Sequence, residues 1–348
     1  RKLGINSMAN KNSNLQSAKN TKDDEFYTTY ETIESEVAHY VRHFAEKTVL
    51  CNCDDPFESN FCKYFLKNFN ILKLQRLICT SYCASAVVGT QLSLFDDTHQ
   101  NLKKGVGYVL DVVKFSNVAG EISDDEIAQF LQTANVIRKL DGNGDFRSPE
   151  CIEYLKLCDI VVTNPPFSLF KEIVTEIMRY RKKFLIIGNQ NAITYKEIFP
   201  LIQNNEVWTG YRFGEMKFRV PEYSKPRKYR YWVDESGQKW RSLGNAMWLT
   251  NLDNDRRHEF VAMTKTYNPE DYPKYDNYDA INVRTIRDIP CDYYGIMGVP
   301  ITIINKYNSE QFEIVGEANH GSDNEFDLFK PTIDGKEIFK RILIRRRA

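Results

Sequence analysis

The sequence predicts an α/β protein built on a Rossmann-like, doubly wound mixed sheet. Three observations lead there. Short apolar runs at 48–53, 74–80, 160–162 and 183–188 have the character of strands buried on both faces of a sheet. Amphipathic helical patterns alternate with them, as in crossover connections. The run at 160–162 then ends in Asn164-Pro165-Pro166-Phe167, which sets polar and aromatic groups beyond a strand end, where open α/β sheets bind ligands.

The elements follow in order. Residues 1–22 are polar, rich in Asn, Lys and Ser, and without period, which predicts a mobile arm, and Met8 offers a natural start. A helix is expected over 33–44, with Ile33, Val37, Tyr40, Val41 and Phe44 on one stripe. The strand at 48–53 exits into Asp54-Asp55-Pro56-Phe57-Glu58-Ser59-Asn60, with a helix to about residue 68 and a second strand at 74–80. Residues 84–140 are longer than a plain crossover needs, so an insertion is expected there. Within it, 106–113 reads as a strand, and Ser123 with Glu126 as a capping box opening a helix to about residue 140. Asp145-Phe146 is expected to end a strand. The helix at 169–180 turns Phe170, Ile173, Val174 and Ile177 inward, and the strand at 183–188 follows, with Asn189-Gln190-Asn191 at its end. Residues 213–245 differ in character, strands resume at 246–252, and 285–344 holds short strands and turns. The expected organisation is an arm at 1–22, a core at 23–205, a recognition segment at 206–245 and remaining strands at 246–348.

Composition sets limits. Hydrophobic residues make up 42% and charged residues 27% of 348, as in an ordinary globular enzyme. No apolar run approaches the length of a membrane span and no signal-peptide pattern opens the chain, which with reduced core cysteines favours a cytoplasmic protein. Cys51-x-Cys53 has no partner pair at zinc spacing. Asp141-Gly142-Asn143-Gly144-Asp145 starts like a calcium loop but has Ile152 at the twelfth place, so no metal is expected.

Asn164-Pro165-Pro166-Phe167 carries the chemistry. Two prolines hold the backbone rigid, and the residue before the first is pushed to an extended conformation. A fixed amide oxygen, a proline carbonyl and an aromatic face then lie within four residues. Such a set suits an exocyclic amino group on a flat ring. Two carbonyl acceptors take its two N–H hydrogens, and the phenyl ring stacks on a base taken out of the duplex. The bland reading is a strand followed by a Pro-Pro turn.

Asn164–Phe167 matches the catalytic motif of amino-methyltransferases, and further segments resemble one branch, the EcoRI-type adenine-specific DNA methyltransferases. These are DDEFYT at 23–28, VLCNCDDPFESNF at 49–61, GDFRS at 144–148, DIVVTNPPFSLF at 159–170 and KFLIIGNQNAITYKE at 183–197. WLTNLD at 248–253, YPKYDNYDAINV at 272–283, GIMGVPIT at 295–302 and KRILI at 340–344 complete the set. The resemblance implies the S-adenosylmethionine-dependent methyltransferase fold and methyl transfer to N6 of adenine in double-stranded DNA, in a restriction–modification or phage setting. It implies that Asn164, Pro165, Pro166 and Phe167 are catalytic. It implies that Phe26, Tyr27, Asp54, Asp55, Pro56, Phe57, Asp145 and Phe146 border the cofactor, and that Asn189 and Asn191 line the target-base pocket. Two departures stand out. Ser59 and Asn60 replace the glycines usual in the cofactor loop, and Thr80-Ser81-Tyr82 stands where an acidic ribose ligand is usual.

Charge is neutral overall, with 47 basic and 47 acidic residues, an awkward balance for a DNA-binding protein. Its distribution is not even. Arg212, Lys217, Arg219, Lys225, Arg227, Lys228 and Arg230 face two acids over 212–230, among Phe213, Phe218, Tyr223 and Tyr229. Basic residues among aromatics neutralise phosphates and touch bases, and these seven are the candidate DNA contacts. The tail at 340–347 adds five basic residues, readable as a second contact or as a charged terminus. A GAATTC target fits the resemblance, although specificity would reside in the recognition segment, whose residues 213–245 match the family least. No obligate protein partner is expected, and a monomer is. Two other readings stay open: an amino-methyltransferase of the same fold acting on RNA or on a protein glutamine, and a non-catalytic DNA-binding relative.

Overall fold

The computed structural model describes residues 26–53, 59–82, 106–115, 122–133, 136–222, 224–318 and 330–347. The arm at 1–22, Asp54, Asp55, Pro56, Phe57 and Tyr223 lie outside the described residues. In chain order the elements are β1 (Tyr27–Thr28), α1 (Tyr30–Val37), β2 (Thr48–Asn52), α2 (Asn60–Lys67), β3 (Arg76–Ser81), β4 (Tyr108–Val112), α3 (Asp124–Thr133), β5 (Ile137–Lys139), α4 (Pro149–Leu157) and β6 (Ile160–Thr163). They continue with α5 (Phe170–Arg179), β7 (Lys183–Asn189), α6 (Phe199–Gln203), β8 (Trp208–Arg219), β9 (Tyr231–Val233), β10 (Lys239–Thr250), β11 (Ile281–Asn282), β12 (Met297–Pro300), β13 (Phe312–Ala318), β14 (Thr332–Ile333), β15 (Lys336–Glu337) and β16 (Arg341–Arg346).

The large sheet runs β1-β8-β10-β7-β6-β2-β3-β4-β5, with β9 paired to β10. Its centre, β3-β2-β6-β7, is parallel, and antiparallel strands flank it on both sides. The parallel strands carry two cores because alternate side chains point to opposite faces. Leu50, Ile78, Val161 and Phe184 join Ile173, Val174 and Ile177 of α5. Val49, Leu77, Val162 and Leu185 join Ile33 and Val37 of α1 and Phe61 and Phe65 of α2. A separate sheet, β11-β12-β16-β13, packs Val299, Phe312, Ile342 and Ile344 into the first of these cores. The last segment is therefore not an edge of the large sheet.

Several expectations change. The helix expected over 33–44 is α-helical only to Val37 and then tightens to a 3-10 turn, Ala38–His43. Three residues per turn instead of 3.6 rotate the stripe, so Val41 is 44% exposed while Tyr40 and Phe44 remain buried. The helix expected to reach residue 140 is cut to α3. Ile137–Lys139 instead pairs antiparallel with β4, a pairing that local periodicity does not contain. Strand structure does not resume at 246 but begins at Lys239, because β10 spans the whole of β8 with register shifts on the way. The basic tail forms β16, paired on both edges, and Arg347 donates from Nε to the Ser309 carbonyl at 2.8 Å. Among the described residues no helix is long and apolar enough to cross a membrane.

Candidate active site

The site lies where β2, β3, β6 and β7 end. Thr163, the last residue of β6, donates its hydroxyl to the Asn52 carbonyl at the end of β2, which ties the two strand ends together. Asn164 follows. Pro166 is extended (φ −51°, ψ 130°), and a 3-10 turn, Phe167–Leu169, leads into α5. The backbone is thus fixed from the strand into the helix by the two prolines.

Asn164 is held from the far end of the sequence. Its Nδ2 donates to the Phe26 carbonyl at 2.6 Å, while its Oδ1 is buried without a hydrogen-bond partner. A buried acceptor left unpaired costs about 1–3 kcal/mol, so this oxygen is poised for a donor. Phe26 also stacks on Phe167, with ring centroids 5.4 Å apart and an interplanar angle of 26°. Phe26 stays in place because Tyr27 and Thr28 form β1 on the edge of β8, opposite Arg219 and Phe218, and because Asn60 Nδ2 donates to the Thr28 carbonyl at 2.7 Å. Arg241 of β10 lies over the Phe26 ring at 4.8 Å, and Arg219 lies over Tyr27 at 5.5 Å. Nothing in the linear sequence singles out Arg241. Only strand pairing, Arg241 against Phe218, brings it to the site.

Glycine contacts position the neighbouring cleft. Gly144 has φ +77°, and a Cβ there would collide with the Ser81 carbonyl at the end of β3. Gly107 packs as closely, its notional Cβ 2.7 Å from Gly144 N. This close approach carries the turn at 144–148 against the strand ends. Asp145-Phe146 therefore sits in a turn ahead of α4 and does not end a strand, contrary to expectation. Phe146 is buried beside Leu50, Asn52 and Thr80. Asn52 Oδ1 is buried and unpartnered. Asp145 is clamped by Arg147, which donates from Nε at 2.9 Å and from Nη2 at 2.8 Å. Those hydrogen bonds hold the carboxyl below its ordinary range, so it stays ionised at neutral pH. Ser59 caps α2, accepting from Phe61 N at 3.1 Å.

The amides after β7 divide. Asn189 Oδ1 accepts from Asn191 N at 2.9 Å and from Asn245 Nδ2 at 3.0 Å, joining β7 to β10. Asn191 is exposed. Of the basic residues, Arg212, Lys217 and Arg219 lie on β8, and Lys225, Arg227, Lys228 and Arg230 lie on its connection to β9. All are exposed except Arg219, which is half-buried. Arg230 has φ +57° and packs its guanidinium on Gly244. Trp232 and Trp240 stack across β9 and β10 at 6.2 Å. Below this hairpin, Glu36 is buried and accepts from Tyr211 N at 2.6 Å, Arg212 N at 2.7 Å and the Tyr40 hydroxyl at 2.9 Å. Burial pushes its carboxyl up to about 7, against the pull of those hydrogen bonds.

Phe26, Asn164 and Phe167 thus come together at one point, and Phe146 lies at the neighbouring strand ends. The arrangement can accept an amino group and stack a flat ring. The family model for the adenine-specific methyltransferase EcoRI matches residues 14–347. The Type II methyltransferase M.EcoRI of Escherichia coli is 43% identical over 342 residues, covering 96% of each chain. M.MgeORF184P of Mycoplasma genitalium is 36% identical, over 86% of this chain and 84% of its own. M.MpnI of Mycoplasma pneumoniae is 34% identical, over 86% and 83%. Both bear the same Type II methyltransferase description. No solved structure gives a significant match. A family match across nearly the whole length, with one relative covered to 96% and two to more than four fifths, decides between the readings left open by the sequence: the chain belongs to the EcoRI family of adenine-specific methyltransferases and is a DNA adenine methyltransferase of the restriction–modification type.

Proposed function

We propose that the chain transfers a methyl group from S-adenosylmethionine to N6 of an adenine flipped out of duplex DNA, with Asn164, Pro165, Pro166 and Phe167 forming the acceptor site. The observation that carries this reading is the unpartnered, buried Oδ1 of Asn164, whose Nδ2 is committed to the Phe26 carbonyl. Asn164 Oδ1 and the Pro165 carbonyl accept the two N6 hydrogens. That geometry would draw the nitrogen lone pair out of conjugation with the ring and free it to act as a nucleophile. The donor's methyl would pass to this nitrogen as its bond to sulfur breaks, and the extra proton would leave to solvent. Phe167, partly exposed, supplies the stacking surface for the base. Fixed positioning supplies most of the acceleration.

The strand ends suit the donor. Asn52 brings a buried amide oxygen without a partner, and Phe146 an aromatic wall. Asp54, Asp55, Pro56, Phe57, Tyr27 and Asp145 complete the proposed cofactor residues, and Thr80 lies beside Asn52 and Phe146. When bound, S-adenosylmethionine supplies an electrophilic methyl on a sulfonium. Phe26 moves in this account from the cofactor to the acceptor side, because its carbonyl and ring both engage the Asn164–Phe167 loop. Asn189 serves as the strap to β10, and Asn191, exposed beside it, faces the incoming base. Arg212, Lys217, Arg219, Lys225, Arg227, Lys228 and Arg230 take phosphates and base edges, and the segment 206–245 reads the target.

Single-turnover methylation of duplex DNA by Asn164→Ala tests the reading. The expected result is a loss of at least about 100-fold in rate, the scale seen when one preorganised hydrogen-bonding group is removed. Cofactor and DNA affinities should stay within a few fold. Near-normal turnover would sink it.

A further inference from the structure

A second charged feature lies outside the acceptor site. A groove of about 420 Å³ is lined by Arg256, Glu259, Phe260, Val261, Ile286, Arg287, Asn305 and Lys306. Three cations face one acid there, in a chain whose total charge is zero. Arg287 and Lys306 are exposed, and neither forms a salt bridge among the described residues. Arg256 is anchored by a hydrogen bond from Nη1 to the Tyr211 carbonyl, so the groove is fixed to β8. Phe260 stands at its rim, 66% exposed, where a large apolar side chain gains nothing from folding. Asn305 adds a buried amide oxygen without a partner.

We infer that this groove holds the sugar–phosphate backbone of the substrate duplex outside the residues that read the target. Two solvent-facing cations lining one groove suit backbone phosphates, because neutralising each releases condensed counterions. The exposed Phe260 ring offers an apolar surface to a deoxyribose. The assignment rests on DNA being the substrate but is independent of the roles given to Asn164 and to the basic residues at 212–230. It also gives the C-terminal part of the chain a role in affinity and none in chemistry.

The test is equilibrium binding of a target duplex by the full chain at several salt concentrations, with Arg287→Ala/Lys306→Ala beside the charge-preserving Arg287→Lys/Lys306→Arg. Loss of two phosphate contacts should weaken binding about tenfold near 0.1 M salt and lower the log–log salt slope by about 2. The charge-preserving pair should keep the wild-type slope. Methyl transfer at saturating DNA should be unchanged in both, which separates this result from a failed acceptor site. Wild-type affinity and slope in the alanine pair would overturn the inference. So would an equal loss in the charge-preserving pair, because charge would then not be the cause.

Discussion

Asn164 is oriented by a residue 138 positions earlier in the chain. An asparagine amide can turn either end toward a ligand, and the Phe26 carbonyl selects one of them by accepting from Nδ2. The Phe26 ring adds a second constraint by lying on Phe167, and Arg241 lies over the same ring at 4.8 Å. Phe26→Ala should therefore lower the methyl-transfer rate about tenfold or more while cofactor affinity stays within a few fold. Phe26→Tyr should recover most of the rate. Isothermal titration with the cofactor beside single-turnover kinetics checks this, and weakened cofactor binding with a normal rate would return Phe26 to the cofactor side. The residue types at 164–167 were legible in the sequence, because two prolines after a buried strand leave few conformations. The surroundings of Asn164 were not, because its partner Phe26, and the Arg241 that lies over Phe26, arrive through strand pairing with β8.

At the scale of elements, short buried strands were readable wherever both faces are covered, since no alternation is then needed to mark them. Elements that depend on a neighbour were not. Ile137–Lys139 is a strand only because β4 offers an edge, and Lys239–Leu243 only because β8 runs beside it. The turn at 144–148 belongs to this group, set by the contact of Gly107 and Gly144 with the end of β3. Gly144→Ala forces a side chain into left-handed backbone and against the Ser81 carbonyl, which should cost about 1–3 kcal/mol or more. Urea unfolding should show that loss, and cofactor titration should show weaker binding as Phe146 moves.

The buried Glu36 joins α1 to the β8 backbone and gives this region a pH dependence. Its native pKa of about 7 lies above the unfolded value of about 4.3. The carboxylic acid therefore favours the folded state most below the unfolded value, and the contribution is lost as pH rises to about 7. Across that window wild-type stability should fall relative to Glu36→Gln, by up to about 3 kcal/mol. Denaturant midpoints of both proteins at pH 5 and pH 8 measure it, and parallel curves would contradict the assignment.

For the whole molecule, the two cores divide the labour. One face of the large sheet carries α1 and α2, and the other carries α4, α5 and the four-stranded sheet, so the ends of β2, β3, β6 and β7 are fixed from both sides. A zero net charge does not oppose DNA binding, because cations outnumber acids locally, seven to two over 212–230 and three to one around the Arg287–Lys306 groove. The motif order along the chain was enough to place the strand ends and the turn at 164–169 that follows β6. It was not enough to show that residues 206–245 are largely continuous with the central sheet, since polar and aromatic side chains there hide the strand alternation. In the proposed reaction Asn164 presents its amide oxygen to an adenine amino group. The most direct test is modification-sensitive sequencing of plasmid DNA from cells making the wild-type chain or Asn164→Ala. N6-methyladenine at one short motif, present with the wild type and absent with the folded variant, is the predicted result; the same methylation from Asn164→Ala would contradict it.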